Sequence, residues 1–176
     1  MLAVSGTPAV GKTTVSQRIA RDLDALLVDL KEYALEKTVT ERDDSRDTQV
    51  IDVDLLVAEF VRDHGGSEGR LVVDGSLSHF LPVTHVLVLR ADPRLLASRM
   101  LERHYSREKV QENIEAEYAG VILHESCDLH ENVLELDATS GVDTGVVTDW
   151  LAAGGRRLMD IDWSMEFGQA LASLHK

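Results

Sequence analysis

The sequence predicts an α/β domain built on a five-stranded parallel sheet flanked by helices, and three observations carry that expectation. Five short apolar segments, residues 2–5, 25–29, 71–74, 85–89 and 132–136, alternate with stretches of helical periodicity. That alternation is the pattern of a sheet covered on both faces. The first segment runs straight into Gly6-Thr7-Pro8-Ala9-Val10-Gly11-Lys12-Thr13, a G-x-x-x-x-G-K-[ST] phosphate loop set between a strand and a helix as the motif requires. The chain has 176 residues, enough for one such domain with small insertions.

Taken in order, the helix expected over 11–23 places Val15, Ile19 and Leu23 four apart on its inner face. After the second strand, residues 30–53 hold a short helical run and then the charged segment 40–47, so they read as an insert. A helix over 54–64 presents Leu56, Val57, Phe60 and Val61, with Val53-Asp54 as its cap and Gly65-Gly66 as its stop. Asp92-Pro93 opens another, since Asp92 can cap and proline fits a first turn; it buries Leu95, Leu96 and Met100. Val110, Ile114, Tyr118, Val121 and Ile122 read as one longer helix, and Val142, Val146, Val147 and Leu151 as the next. Between the helix opened by Asp92-Pro93 and the one lined by Val110, the arginine-bearing stretch around 100–110 is expected to be a mobile cover. A tail over 154–176 ends in an amphipathic helix. The expected organisation is one domain over 1–176, with inserts at 30–53 and 100–110 and a C-terminal helical extension.

Composition narrows the function classes. A formal net charge of −13, from 31 acidic and 18 basic residues, opposes nonspecific nucleic-acid binding. The single cysteine, Cys127, supports no disulfide framework and points to a reducing compartment. No apolar run reaches the roughly 20 residues that span a bilayer, and no leader precedes the loop. A cytoplasmic protein without a membrane contact is expected.

The chemistry is concentrated in a few residues. Loop amides with Ala9, Gly11, Lys12, Thr13 and Thr14 are expected to cradle a nucleoside triphosphate, Lys12 reaching the outer phosphates and Thr13 the Mg²⁺ that accompanies them. Asp74 closes the apolar strand 71–74 and reads as a second Mg²⁺ ligand or as a cap of the next turn. Arg99 and Arg103 lie four apart on one helix face, suited to clamping a transferring phosphoryl group. Arg42 and Arg46 share that spacing in the other insert and read as an acceptor-phosphate grip, or as solvated partners of Asp43 and Asp47. His79 reads as a general base or as a residue packed beside Phe80 and Leu81. No Asn-Lys-x-Asp guanine-reading motif is present.

These segments together resemble the adenylate kinase family of archaea and eukaryotic nuclei, within the P-loop nucleoside monophosphate kinases. The residues that carry the resemblance are 6–14, 50–57, 86–92 and, most specifically, Glu102-Arg103-His104-Tyr105-Ser106-Arg107-Glu108-Lys109-Val110-Gln111-Glu112-Asn113-Ile114-Glu115-Ala116-Glu117. The resemblance implies a monophosphate-binding insert at 30–53 and a lid at 100–110. It implies Arg103 meeting ATP from the lid, Arg99 along the nucleotide, and Ala138 within Asp137-Ala138-Thr139-Ser140 bordering the donor base. The implied activity is Mg²⁺-dependent phosphoryl transfer between ATP and AMP with secondary ATP hydrolysis. The implied partner is the small-subunit ribosomal protein uS11, during small-subunit rRNA maturation. Two positions depart from the family pattern. Ala9 stands where glycine is common, a modest change if the local backbone is not left-handed. Ser76 stands where the family's Asp-x-His motif has histidine, and a serine hydroxyl is no base near neutral pH.

Overall fold

The computed structural model describes residues 1–37, 40–43, 48–66 and 69–175, with the backbone path alone for 40–43 and 48–50. Its centre is a five-stranded sheet in which every neighbouring pair is parallel. In chain order the sheet strands are β1 (Leu2–Gly6), β2 (Leu26–Asp29), β5 (Leu71–Asp74), β6 (His85–Arg90) and β7 (Val133–Asp137), arranged β2-β5-β1-β6-β7. The remaining strands, β3 (Thr40–Asp43) and β4 (Thr48–Ile51), form an antiparallel hairpin inside residues 30–53.

Strand alternation divides the core. Val4, Val72, Leu87, Leu89 and Leu134 face one side, while Ala3, Val73, Val86, Val88 and Val133 face the other, the period-two consequence of a pleated strand. The first side is covered by α1 (Lys12–Asp22), α4 (Pro93–Glu102), α5 (Arg107–Tyr118), α7 (Thr144–Ala153) and α8 (Ser164–Leu174). The second is covered by α2 (Leu30–Glu36), α3 (Val53–His64) and α6 (Val121–Leu129). Phe60 on α3 and Trp150 on α7 are fully buried anchors of the two layers; truncating such a residue to alanine typically costs about 3–5 kcal/mol. Arg157 bridges to Leu134 and exchanges backbone hydrogen bonds with Val133 and Glu135, so the C-terminal segment covers part of the β7 edge.

Two local expectations are corrected. The helix expected to run unbroken from Val110 to Ile122 is two helices. Gly120 has φ +64 and caps α6, and a Cβ there would lie 3.4 Å from Arg90 Nη1. The apolar periodicity crosses the break because α5 and α6 pack on opposite faces of the sheet. The cap of α3 is Asp52, whose Oδ1 accepts from Leu55 N, with Asp54 inside the first turn. Asp92 caps α4 by accepting from Arg94 N, with Pro93 following it in the first turn. Among the described residues no helix is long and apolar enough to cross a membrane.

Candidate active site

The loop between β1 and α1 is forced into shape by its sequence. Gly6 has φ +146, and a Cβ on it would meet Leu89 O at 2.4 Å, so no other residue fits. Ala9 adopts φ +68. The condition under which alanine would be a modest change is therefore not met, and a left-handed alanine costs about 1–2 kcal/mol relative to its preferred backbone. Arg99 on α4 steadies that strained peptide by donating from Nη1 to Ala9 O at 3.2 Å.

Lys12 Nζ donates to Gly6 O at 2.8 Å and Thr7 O at 3.1 Å. Burial pulls its pKa down to about 8, opposed by Asp74 and Glu117 and assisted by Arg103. Thr13 Oγ1 donates to Asp74 Oδ2 at 2.6 Å. Asp74 sits at the end of β5, in register with Val4 of β1 and Asp29 of β2. Its carboxyl is raised above its ordinary pKa, chiefly by burial, while the Thr13 hydroxyl and the Lys12 ammonium pull it the other way. Its second oxygen, Oδ1, is buried without a hydrogen-bond partner among the described residues. A hydroxyl beside a carboxylate with an unsatisfied buried oxygen fits Mg²⁺, a hard cation held by one or two protein oxygens plus phosphates and water. Among the described residues no group of three or more His, Cys, Asp and Glu side chains converges into a denser metal cage.

Two adjoining clefts open over the loop. The larger, about 510 Å³, is bordered by Ala9, Gly11, Thr14, Arg99, Arg103 and Ala138, with residues 139–142 along its far side. The smaller, about 110 Å³, lies over Lys12 and Thr13 and again includes Ala9, Gly11, Thr14 and Arg103. Arg103 thus borders both. The far wall is itself fixed: Ala138 N donates to Arg90 O, Thr139 N to Asp137 Oδ1, and Asp92 N to Thr139 Oγ1. The 100–110 stretch comprises the end of α4, a turn and the start of α5. His104 N donates to Leu101 O and Tyr105 N to Met100 O, with His104 at φ +62, a Schellman stop. Ser106 then caps α5.

Arg46 lies outside the described residues, and Arg42 is described only by its backbone in β3. His79 is fully buried, with Nδ1 3.0 Å from Ser5 Oγ and Nε2 3.0 Å from Glu125 Oε2. That places its ring in the core, away from both clefts' lining. Ser76 contributes its carbonyl, which accepts from Ser5 Oγ at 3.0 Å.

Sequence reasoning missed a buried ion cluster beside the loop. Arg90, Glu117 and Glu135 are 5%, 2% and 1% exposed. Arg90 Nε donates to Glu117 Oε1 at 2.6 Å and Nη1 to Glu135 Oε1 at 3.0 Å. The available signal was an arginine directly after the apolar segment 85–89 and a glutamate inside 132–136, charges that need partners if those strands are central.

A family profile described as an AAA domain matches residues 2–120. The chain is 44% identical to a Thermococcus gammatolerans protein named "Putative adenylate kinase", over 99% of this chain and 98% of that one. Proteins of the same name match from Pyrococcus furiosus, at 39% identity over 99% and 97%, and from Methanocaldococcus jannaschii, at 32% over 94% of each. Among solved structures, a Sinorhizobium meliloti gluconokinase superposes with a TM-score of 0.52 at 16% identity, covering 99% of this chain and 94% of that one. A Bacteroides thetaiotaomicron shikimate kinase gives 0.52 at 15% identity over 76% and 84%; at such identities both speak for the fold alone. The chain belongs to the AAA-domain family of P-loop proteins and to the family of these archaeal adenylate-kinase-type proteins.

Proposed function

We propose that the protein is an adenylate kinase that moves a phosphoryl group reversibly between Mg·ATP and AMP, giving two ADP. The observation that most supports this reading is the position of Arg103, which borders both the cleft over Lys12 and Thr13 and the larger cleft running to Ala138. A donor nucleotide laid across the two places its base side by Ala138 and its phosphates over the loop. Lys12, Arg103 and the loop amides then stabilise charge on the transferring group, the electrostatic contribution that dominates such reactions. Arg99 holds the loop at Ala9 as well as bordering the nucleotide. Thr13 and Asp74 are the residues that would hold Mg²⁺, which supplies charge neutralisation across the outer phosphates. Arg42 and Arg46 are the proposed grip on the AMP phosphate, and the 100–110 turn the proposed lid. The site of action is taken to be the cytoplasm.

Secondary ATP hydrolysis, and a role with a small-subunit ribosomal protein such as uS11 in rRNA maturation, form a second reading in which hydrolysis serves partner release. It is favoured less, because Ser76 offers no base and His79 is spent on Ser5 and Glu125. Titration of AMP into protein saturated with a nonhydrolysable ATP analogue separates the two. The kinase reading expects saturable one-to-one AMP binding that weakens at least tenfold when Arg42 is replaced by alanine. Absence of AMP binding, with ATP still bound, would contradict the AMP reading and leave the switch or a kinase acting on another small phosphorylated acceptor.

A further inference from the structure

Thr7 lies inside the phosphate loop and is 3% exposed. Its Oγ1 donates to Glu117 Oε2 at 2.5 Å, a contact between residues far apart in sequence that ties the loop to α5. The other Glu117 oxygen accepts from Arg90 Nε and, at 3.1 Å, from Ala91 N. Arg90 Nη2 donates to the Glu117 carbonyl at 2.5 Å. Glu135, the second carboxylate on Arg90, accepts from Met159 N at 2.7 Å. Both Glu117 oxygens are therefore committed.

The arrangement is electrostatically odd. Two buried carboxylates face one guanidinium, and each buried charge is costly to desolvate. The acidic excess stands beside a loop built to receive a polyphosphate, where a negative charge opposes the ligand. What Glu117 gives in return is a fixed acceptor for the Thr7 hydroxyl, charge-assisted and hence about twice as strong as a neutral bond. With the Thr7 side chain held there, its carbonyl stays turned towards Lys12 Nζ at 3.1 Å. Arg99 performs the matching service from α4 at Ala9 O, so each helix flanking the 103–106 turn grips the loop once.

We infer that Glu117 is a positioning residue that holds the phosphate loop, through Thr7, in the shape that receives the nucleotide's phosphates, with Arg90 and Glu135 fixing its carboxylate. The inference rests on the nucleotide-binding reading of the loop and does not require AMP to be the acceptor.

Direct titration of Mg·ATP into the full chain, beside a melting curve for each variant, tests it. Thr7→Val keeps the side-chain shape and removes the hydroxyl; it is expected to raise the Kd at least tenfold, while Thr7→Ser restores it to within about threefold. Glu117→Gln removes the negative charge but keeps the volume, so charge alone would tighten binding, whereas loss of the held hydroxyl weakens it. Weaker binding in Glu117→Gln supports positioning; tighter binding overturns it. An unchanged Kd in Thr7→Val with a lowered melting temperature also overturns it, leaving the contact a matter of stability. Should Thr7→Val fail to fold, the sign of the Glu117→Gln effect decides alone. Failure of the unaltered protein to phosphorylate AMP would end the kinase reading without altering these binding comparisons.

Discussion

Two buried polar networks flank β1, and they differ in what they can respond to. On the α5 side, Arg90, Glu117 and Glu135 make a buried cluster of ion pairs that reaches the phosphate loop at Thr7. On the α6 side, Glu125, His79 and Ser5 make a chain that stops one residue short of the loop and ends on the Ser76 carbonyl. The second contains a histidine whose pKa lies below its ordinary value, because burial outweighs Glu125 while His130 adds to the lowering. The α5 network is thus suited to hold a ligand-binding loop, and the α6 network to hold the strand and turn on either side of it.

The largest effect that tests this contrast is on stability. Arg90→Met strands two buried carboxylates and is expected to cost about 3–5 kcal/mol, read as a lowered urea midpoint at unchanged slope. A loss below about 1 kcal/mol would mean the cluster is not the charged keystone of that side.

A smaller effect should appear on the opposite side and depend on pH. Because the folded state holds His79 below the unfolded value near 6.5, the unfolded chain binds the proton more readily. The neutral ring's full contribution is present above that value and is lost as pH falls through the folded pKa. His79→Gln is expected to cost about 1–3 kcal/mol at neutral pH through its broken hydrogen bonds. The cost should narrow as the pH is lowered from 7 to 5, and the AMP-dependent rate should change little. A cost that grows on acidification would reverse the sign assigned here, and a collapse of turnover in a stably folded variant would move His79 into the transfer machinery.

The smallest effect concerns the loop itself. Ala9→Gly relieves the left-handed alanine but adds freedom to the unfolded chain, so a net gain of about 0.5–1 kcal/mol is expected. A destabilised Ala9→Gly protein would show that the alanine methyl makes contacts worth more than the strain.

How far these features were legible in the sequence follows from their physics. The strands and the loop were readable because apolar runs and the glycine–lysine spacing are local signals; 71–74 coincides with β5. Thr13 and Asp74, apart in sequence, were paired on chemistry and stand 2.6 Å apart. The Gly120 break was masked because Val121 and Ile122 continue the helical period, although Ile122 packs in the other layer and Val121 is exposed. The Arg90–Glu117–Glu135 cluster was signalled only by the two charges at apolar strands, and its helical member was hidden. Glu117 follows Glu112 and Glu115 in a charged helix, where one buried carboxylate looks like its solvated neighbours until sheet order brings β6 and β7 together. The hydrogen-bonded stop at His104 was hidden because histidine, not glycine, occupies the left-handed position.

Product stoichiometry tests the kinase reading most directly. The purified protein is incubated with Mg·ATP and AMP in equal amounts, and all three nucleotides are quantified over time, with Lys12→Met as the control. Two ADP should form for each AMP and each ATP consumed, and Lys12→Met should lower the rate by about 10²–10³, the scale of losing one preorganised charge-stabilising group. ATP consumption that yields one ADP and inorganic phosphate while AMP stays constant would contradict adenylate kinase activity and leave this site an ATPase.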